Sequence, residues 1–113
     1  MFGSVSFDAM SGALDSLSLR QRVIADNVAN VQTPGFQARR VQFEQALSSA
    51  VGDGSGRVQA KVLTSLEPTR ENGNNVNLDT EVLSNIDTNL RFQLATRAMD
   101  GKFSAIRTAL RSN

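Results

Sequence analysis

The sequence predicts a mainly α-helical, elongated fold. Long N- and C-terminal helices pair as a coiled coil, and a short turn-rich middle contains a small β or extended element. Three observations carry this expectation: apolar residues at heptad spacing in the first third, two apolar stripes in the last third, and Pro, Gly and Asn concentrated between them. All 113 residues are read as one elongated domain.

The first element is a helix over about 7–31. Phe7, Met10, Leu14, Leu17, Ile24, Val28 and Val31 alternate three and four apart, with Gln21 in the one polar slot. That is a narrow helical seam of the coiled-coil type. Ser4 or Ser6 can cap its start. Much of its remaining surface is small or polar (Ser11, Gly12, Ala13, Ser16, Ser18), so it needs a partner along one edge.

Pro34 disfavours helical geometry at Thr33, and Pro34-Gly35 signals a type II turn with positive φ at Gly35. Over 32–51 the chain turns, runs extended from Phe36 to Phe43 and enters a short helix marked by Phe43, Ala46, Leu47 and Ala50. Residues 52–76 read as flexible or extended: a Gly-rich loop, a loose alternation at Val58, Ala60 and Val62, then a stretch dense in Pro, Gly and Asn.

The last helix covers about 78–111. Asn77 caps it, and Asp79 and Glu81 suit its first turn. Leu83, Ile86, Leu90 and Leu94 form one stripe; Phe92, Ala95, Met99, Phe103, Ile106 and Leu110 form another. Leu83 to Leu94, Phe92 to Phe103 and Met99 to Leu110 are each eleven residues apart, so the apolar surface drifts around the helix. It exceeds what one heptad-seamed partner covers, and neighbouring molecules are expected to cover the rest.

Composition excludes much chemistry. The chain has no Cys, His, Trp or Tyr, which removes the usual zinc sites, a thiol nucleophile and any Ser-His or Cys-His pair. Its acids, such as Asp8, Asp15, Asp26 and Glu44, are scattered, so no enzyme, cofactor or small-molecule substrate is expected. Twelve basic against eleven acidic residues, with Arg spread from Arg20 to Arg111, give no nucleic-acid patch. The first basic residue is Arg20, so no cleaved secretory signal is expected at the start of the sequence. Arg39-Arg40 reads as a solvated or salt-bridged turn edge in preference to a binding patch, with a subunit interface role as the alternative.

Residues Ala25 to Phe36 contain Asn27, Asn30, Thr33, Pro34, Gly35 and Phe36 as Asn-x-x-Asn followed by Thr-Pro-Gly-Phe. This run resembles the signature of the flagellar rod and hook family of bacteria. The resemblance continues through Phe43-Glu-Gln-Ala-Leu47, Gly73-Asn-Asn-Val-Asn-Leu-Asp-Thr-Glu81 and the C-terminal helix, leaving out residues 52–66. The short length, without a large inserted domain, favours a proximal rod subunit. Asn77 stands where the family pattern has Asp, and it caps a helix about as well.

The resemblance implies a structural subunit of the basal-body rod that polymerises through its terminal helices, links the inner-membrane ring to the rest of the rod and transmits torque for motility. The implied partners are other copies of itself, other rod proteins, the inner-membrane ring with its adaptor, and the flagellar export apparatus. The implied location is the periplasmic rod, reached by type III export that reads an uncleaved N-terminal region. The expected assembly residues are Leu14, Leu17, Ile24 and Val28 on the first helix, and Leu83, Ile86, Leu90, Phe103, Ile106 and Leu110 on the last. The competing reading is a small helical adaptor or export chaperone, which would not need Asn-x-x-Asn and Thr-Pro-Gly-Phe together. For Asn27 and Asn30 two roles stand side by side: ending the helix ahead of the turn, or fixing the loop and the chain that crosses it through side-chain to backbone bonds.

Overall fold

A computed structural model describes residues 2–111. Met1, which begins the segment expected to direct export, lies outside the described residues. The element order is α1 (Phe2–Ala29), β1 (Arg39–Gln42), α2 (Glu44–Gly52), β2 (Lys61–Thr64) and α3 (Leu78–Arg111). The molecule is elongated, with extents of 67 × 25 × 15 Å.

Helices α1 and α3 pair antiparallel. Asn27 meets Glu81 at one end, Gln21 donates to Asn89 in the middle (2.8 Å), and Phe7 packs at a tilt against Phe103 near the other end, with ring centroids 5.4 Å apart. Gln21 thus fills its seam slot with an interhelical hydrogen bond. Helix α1 already runs from Phe2, so Ser4 and Ser6 lie inside it and neither is its cap. It stops at Ala29, leaving Val31 in the turn.

The small face of α1 has a second cover that its composition did not reveal. The segment between α2 and β2 runs along it: Val58 lies so close to Gly12 that a Cβ there would stand 3.1 Å from the Val58 Cβ. The buried core of Leu17, Val23, Val41 and Phe43 sits where this strap, β1 and α2 meet α1, with Ala60, Phe92 and Ala95 packed against it. Strands β1 and β2 pair antiparallel with Arg39 opposite Thr64 and Gln42 opposite Lys61.

Arg20 clamps this layer from α1. Its guanidinium donates to both carboxylate oxygens of Glu44 (2.7 and 2.8 Å) and to the Val41 carbonyl (2.6 Å), and it lies 4.8 Å above the Phe43 ring. Arg91 of α3 approaches the same carboxylate at 3.8 Å and is itself held by Asp87. The Arg20 hydrogen bond, with the backbone and charge contributions beside it, draws the Glu44 carboxyl down to about 2.

The row of α3 turned toward the rest of the chain is Glu81, Ser84, Thr88, Phe92, Ala95, Met99 and Lys102. These residues repeat three and four apart, as a seam does. Its first half is polar: Thr88 is fully buried and donates to the Ser84 carbonyl at 2.6 Å. The apolar stripe of Val82, Leu83, Ile86, Leu90 and Leu94 points away and is exposed along its length.

Candidate functional site

The signature residues gather at the end of the molecule where α1 stops and α3 begins. Asn27 is buried there, and its carboxamide behaves like a short piece of neighbouring strand. Ser65 N–H donates to the Ala38 carbonyl, so the alternating antiparallel ladder turns the Arg39 N–H and C=O away from β2. Asn27 takes both: its Oδ1 accepts from Arg39 N–H (3.0 Å), and its Nδ2 donates to Arg39 O (2.9 Å). The same Nδ2 donates to Glu81 Oε1 at 3.0 Å. One amide therefore joins α1, β1 and α3.

Asn30 serves the turn itself. Its Nδ2 donates back to the Asp26 carbonyl (2.8 Å), and its Oδ1 accepts from the Thr33 hydroxyl (3.0 Å). The two roles considered for the asparagine pair are thus divided between them. Asn30 finishes the helix, while Asn27 fixes the crossing chain.

A second loop locks onto the first. Asn74, fully buried, donates through Nδ2 to the carbonyls of Asn30 and Thr33, both at 2.8 Å. Its Oδ1 accepts from Val76 N–H and from Arg70, also at 2.8 Å each. Arg70 reaches on to the carbonyls of Val31 (2.8 Å) and Val76 (2.7 Å). Asn75 Oδ1 accepts from Ala38 N–H at 2.7 Å, and its Nδ2 donates to Ser65 O and Glu67 O. Gly35 and Gly73 stand back to back, both at positive φ (76° and 83°). A Cβ on Gly73 would lie 3.2 Å from the Gly35 Cα. Gly35 N–H donates to Asn72 O (2.8 Å), which closes the knot.

Residues 70–76 have no regular secondary structure, yet they are densely bonded. Asn77 then starts α3, its Oδ1 accepting from the N–H groups of Asp79 and Thr80. Arg39 forms an ion pair with Asp26, as the turn-edge reading has it. Glu81 is the unusual member. It is a carboxylate only 8% exposed, and burial pushes its carboxyl up while the Asn27 hydrogen bond acts the other way.

Sequence reasoning placed Asn27, Asn30, Thr33, Pro34, Gly35 and Phe36 together, and the structure does the same, with Pro34 and Gly35 exposed at the tip of the turn. It missed Arg70, Asn74, Asn75 and the bridging role of Glu81. A run of three asparagines around one valine, in a segment with little apolar content, was the signal available.

The expected assembly residues divide. Leu17 and Ile24 are buried within the chain, so their side chains hold its own interior and cannot meet a neighbour directly. Leu14 is half-buried and Val28 exposed. On α3 all six, Leu83, Ile86, Leu90, Phe103, Ile106 and Leu110, are exposed large apolar residues.

Two helices braced by a polar knot, with an uncovered apolar strip, define a structural subunit built to pack beside others. The family model described as "Flagella basal body rod protein" matches residues 7–37, from the first seam residue to just past the turn. The flagellar basal body rod protein FlgB of Borreliella burgdorferi is 31% identical over 129 residues, spanning 94% of this chain and 96% of its own length. The FlgB proteins of Escherichia coli (30%, with 88% of each chain covered) and Bacillus subtilis (27%, with 89% of each covered) are similar over nearly as much. The chain belongs to the flagellar basal body rod protein family and is a structural subunit of the rod.

Proposed function

We propose that this subunit polymerises through its terminal helices in the proximal rod, together with further copies of itself and other rod proteins, and so joins the inner-membrane ring to the rest of the rod. It performs no chemistry of its own. The observation that carries this reading is the surface of α3. A soluble monomer rarely leaves a large contiguous apolar patch open to water. Here Val82, Leu83, Ile86, Leu90 and Leu94 line one side of a helix whose buried side begins with Glu81, Ser84 and Thr88. α3 meets α1 through this row and through the Phe7–Phe103 contact, so the apolar strip is left for neighbours. Many such contacts per subunit would lock the array against twisting, as torque transmission requires.

The periplasmic rod is reached, on this reading, through the flagellar export apparatus, which reads the N-terminal region without cleaving it. No helix of the described residues is long and apolar enough to cross a membrane. Deleting residues 1–10 should block export or docking; normal secretion and motility after the deletion would count against this route.

The polymerisation reading is tested by Leu90→Asp and Ile106→Asp. Both positions are exposed, so the isolated chain should keep its helical content while rod assembly and swimming are lost. A motile strain carrying either substitution overturns the assignment of that position.

A further inference from the structure

The two edges of the β1–β2 sheet differ. On β1 the outward backbone groups are covered from α1: the Asn27 carboxamide takes both those of Arg39, and the Arg20 guanidinium takes the Val41 carbonyl. The bond from Ser65 N–H to the Ala38 carbonyl sets the phase of the ladder. In that phase Leu63 and Lys61 bond to β1, and Val62 and Thr64 turn their N–H and C=O groups away from it. Among the described residues nothing bonds to those outward groups, and all four residues of β2 are exposed. A bare strand edge is a template for another strand. Apolar side chains crowd the same place: Val62 is 42% exposed, Leu63 37% and Leu66, just beyond the strand, 94%. Val41 is buried, so the sheet's opposite, outer face carries Arg40, Gln42, Lys61 and Leu63. That face has two cations and no carboxylate. Among the described residues neither Arg40 nor Lys61 forms an ion pair, and Glu44, which shares a shallow cleft with Lys61, is already taken by Arg20.

We propose that the open edge of β2 receives an extended, acidic segment of a different protein, which adds a strand to this two-stranded sheet. Backbone bonds to Val62 and Thr64 hold the guest, and its alternating side chains select it. An acid lies beside Lys61 on the outer face, and apolar residues lie beside Val62, Leu63 and Leu66. A second copy of the chain fits this edge poorly. Two β2 strands paired edge to edge are related by a two-fold axis, so the contact is isologous. Arg40 and Lys61 of both copies would then share one sheet face with no carboxylate among them. The chain's other extended segments are engaged at home: β1 lies between Asn27 and β2, and the strap lies on α1. The contact is separate from the apolar strip of α3 and does not depend on polymerisation through it.

The test mixes the full-length chain with either of two short capped peptides in millimolar excess, one alternating Glu with Val and the other Lys with Val. Amide hydrogen exchange is read residue by residue. The Glu–Val peptide should slow exchange at Val62 and Thr64 at least tenfold and leave Leu63 and Ser65, already bonded to β1, nearly unchanged. The Lys–Val peptide should do far less. Thr64→Pro removes one outward N–H without touching the β1 ladder, so it should abolish the protection of Val62. Lys61→Glu should reverse the preference between the peptides, which keeps the test decisive if circular dichroism shows that the proline variant misfolds. In cells, Thr64→Pro should lower recovery of the chain in basal bodies at least tenfold, with Thr64→Ala recovered normally. Equal protection by both peptides, no protection, an unchanged preference in Lys61→Glu, or normal recovery of a folded Thr64→Pro chain overturns the proposal. Protection of Val62 and Thr64 in the chain alone, rising with its concentration, would make a second copy the occupant and overturn it as well.

Discussion

Replacing Asn27 removes the one side chain that bonds α1, β1 and α3 together. In Asn27→Ala the Arg39 N–H, the Arg39 carbonyl and Glu81 Oε1 all lose their partner. Each buried polar group left unpaired costs about 1–3 kcal/mol. Arg39 is half-buried and water can reach part of the gap, so the lower end applies, roughly 3–4 kcal/mol in total. Set against the ~5–15 kcal/mol of an ordinary domain, that is a large fraction, equivalent to a fall in Tm of roughly 15 °C. Asn27→Asp sharpens the test because it preserves shape. It keeps the acceptor for Arg39 N–H but turns the donor into an oxygen facing the Arg39 carbonyl and the Glu81 carboxylate, both about 3 Å away. At pH 7 it should therefore be at least as damaging as Asn27→Ala, and it should recover on acidification as a proton comes to be shared with Glu81. The assay is urea and thermal unfolding followed by circular dichroism from pH 4 to pH 8. An Asn27→Asp protein within about 0.5 kcal/mol of wild type at pH 7, less than one ordinary hydrogen bond, would refute the bridging role.

The two perturbed glutamates should act in opposite directions. The Glu81 carboxyl is raised, so its contribution is fully present below the ordinary value of 4.5 and is lost as pH rises through its folded value. Glu81→Gln, whose carbonyl still accepts from Asn27, should therefore raise stability at pH 7 and remove the gain seen on acidification; a lower Tm at pH 7 would contradict this. Glu44 is lowered to about 2, so its contribution stands above 4.5 and fades as pH falls toward 2. Its carboxylate is 45% exposed, and solvent screening reduces that contribution to about 1 kcal/mol, which a Glu44→Gln protein should lose at pH 7 and not at pH 2. Gly35→Ala should cost about 1 kcal/mol for the left-handed backbone alone. Gly73→Ala should cost more, roughly 2–3 kcal/mol, because its Cβ also meets the Gly35 backbone; equal losses in urea unfolding would show that the two loops are not in contact.

What the sequence made legible was local. Heptad spacing from Phe7 to Val28 marked α1, Pro34-Gly35 marked the turn, and Asn77 marked the start of α3. Each is a signal carried within a few residues. Asn74 reaches Thr33 and Asn30 across 41 and 44 positions and Asn27 reaches Glu81 across 54, and no periodicity encodes a bond of that span. The strap along α1 was hidden for a related reason. Gly12 and Ser16 read as surface because they are small, whereas small residues are what allow another chain to come close. On α3 the stripes were visible, but a stripe says only that something covers it. Thr88 and Glu81 inside, with Leu83 and Leu90 outside, could be read only once α1 was in place.

The central claim is that the first half of α3 turns Glu81, Ser84 and Thr88 inward and keeps its apolar strip for neighbouring subunits. Density of an intact basal body at side-chain resolution tests it most directly. The account predicts that Leu83, Ile86, Leu90 and Leu94, each more than half exposed in the single chain, are buried against helices of adjacent subunits, with the Asn27–Glu81 bond still closed. Density in which those four residues face solvent, or pack on the α1 of their own chain while Thr88 faces outward, would contradict it.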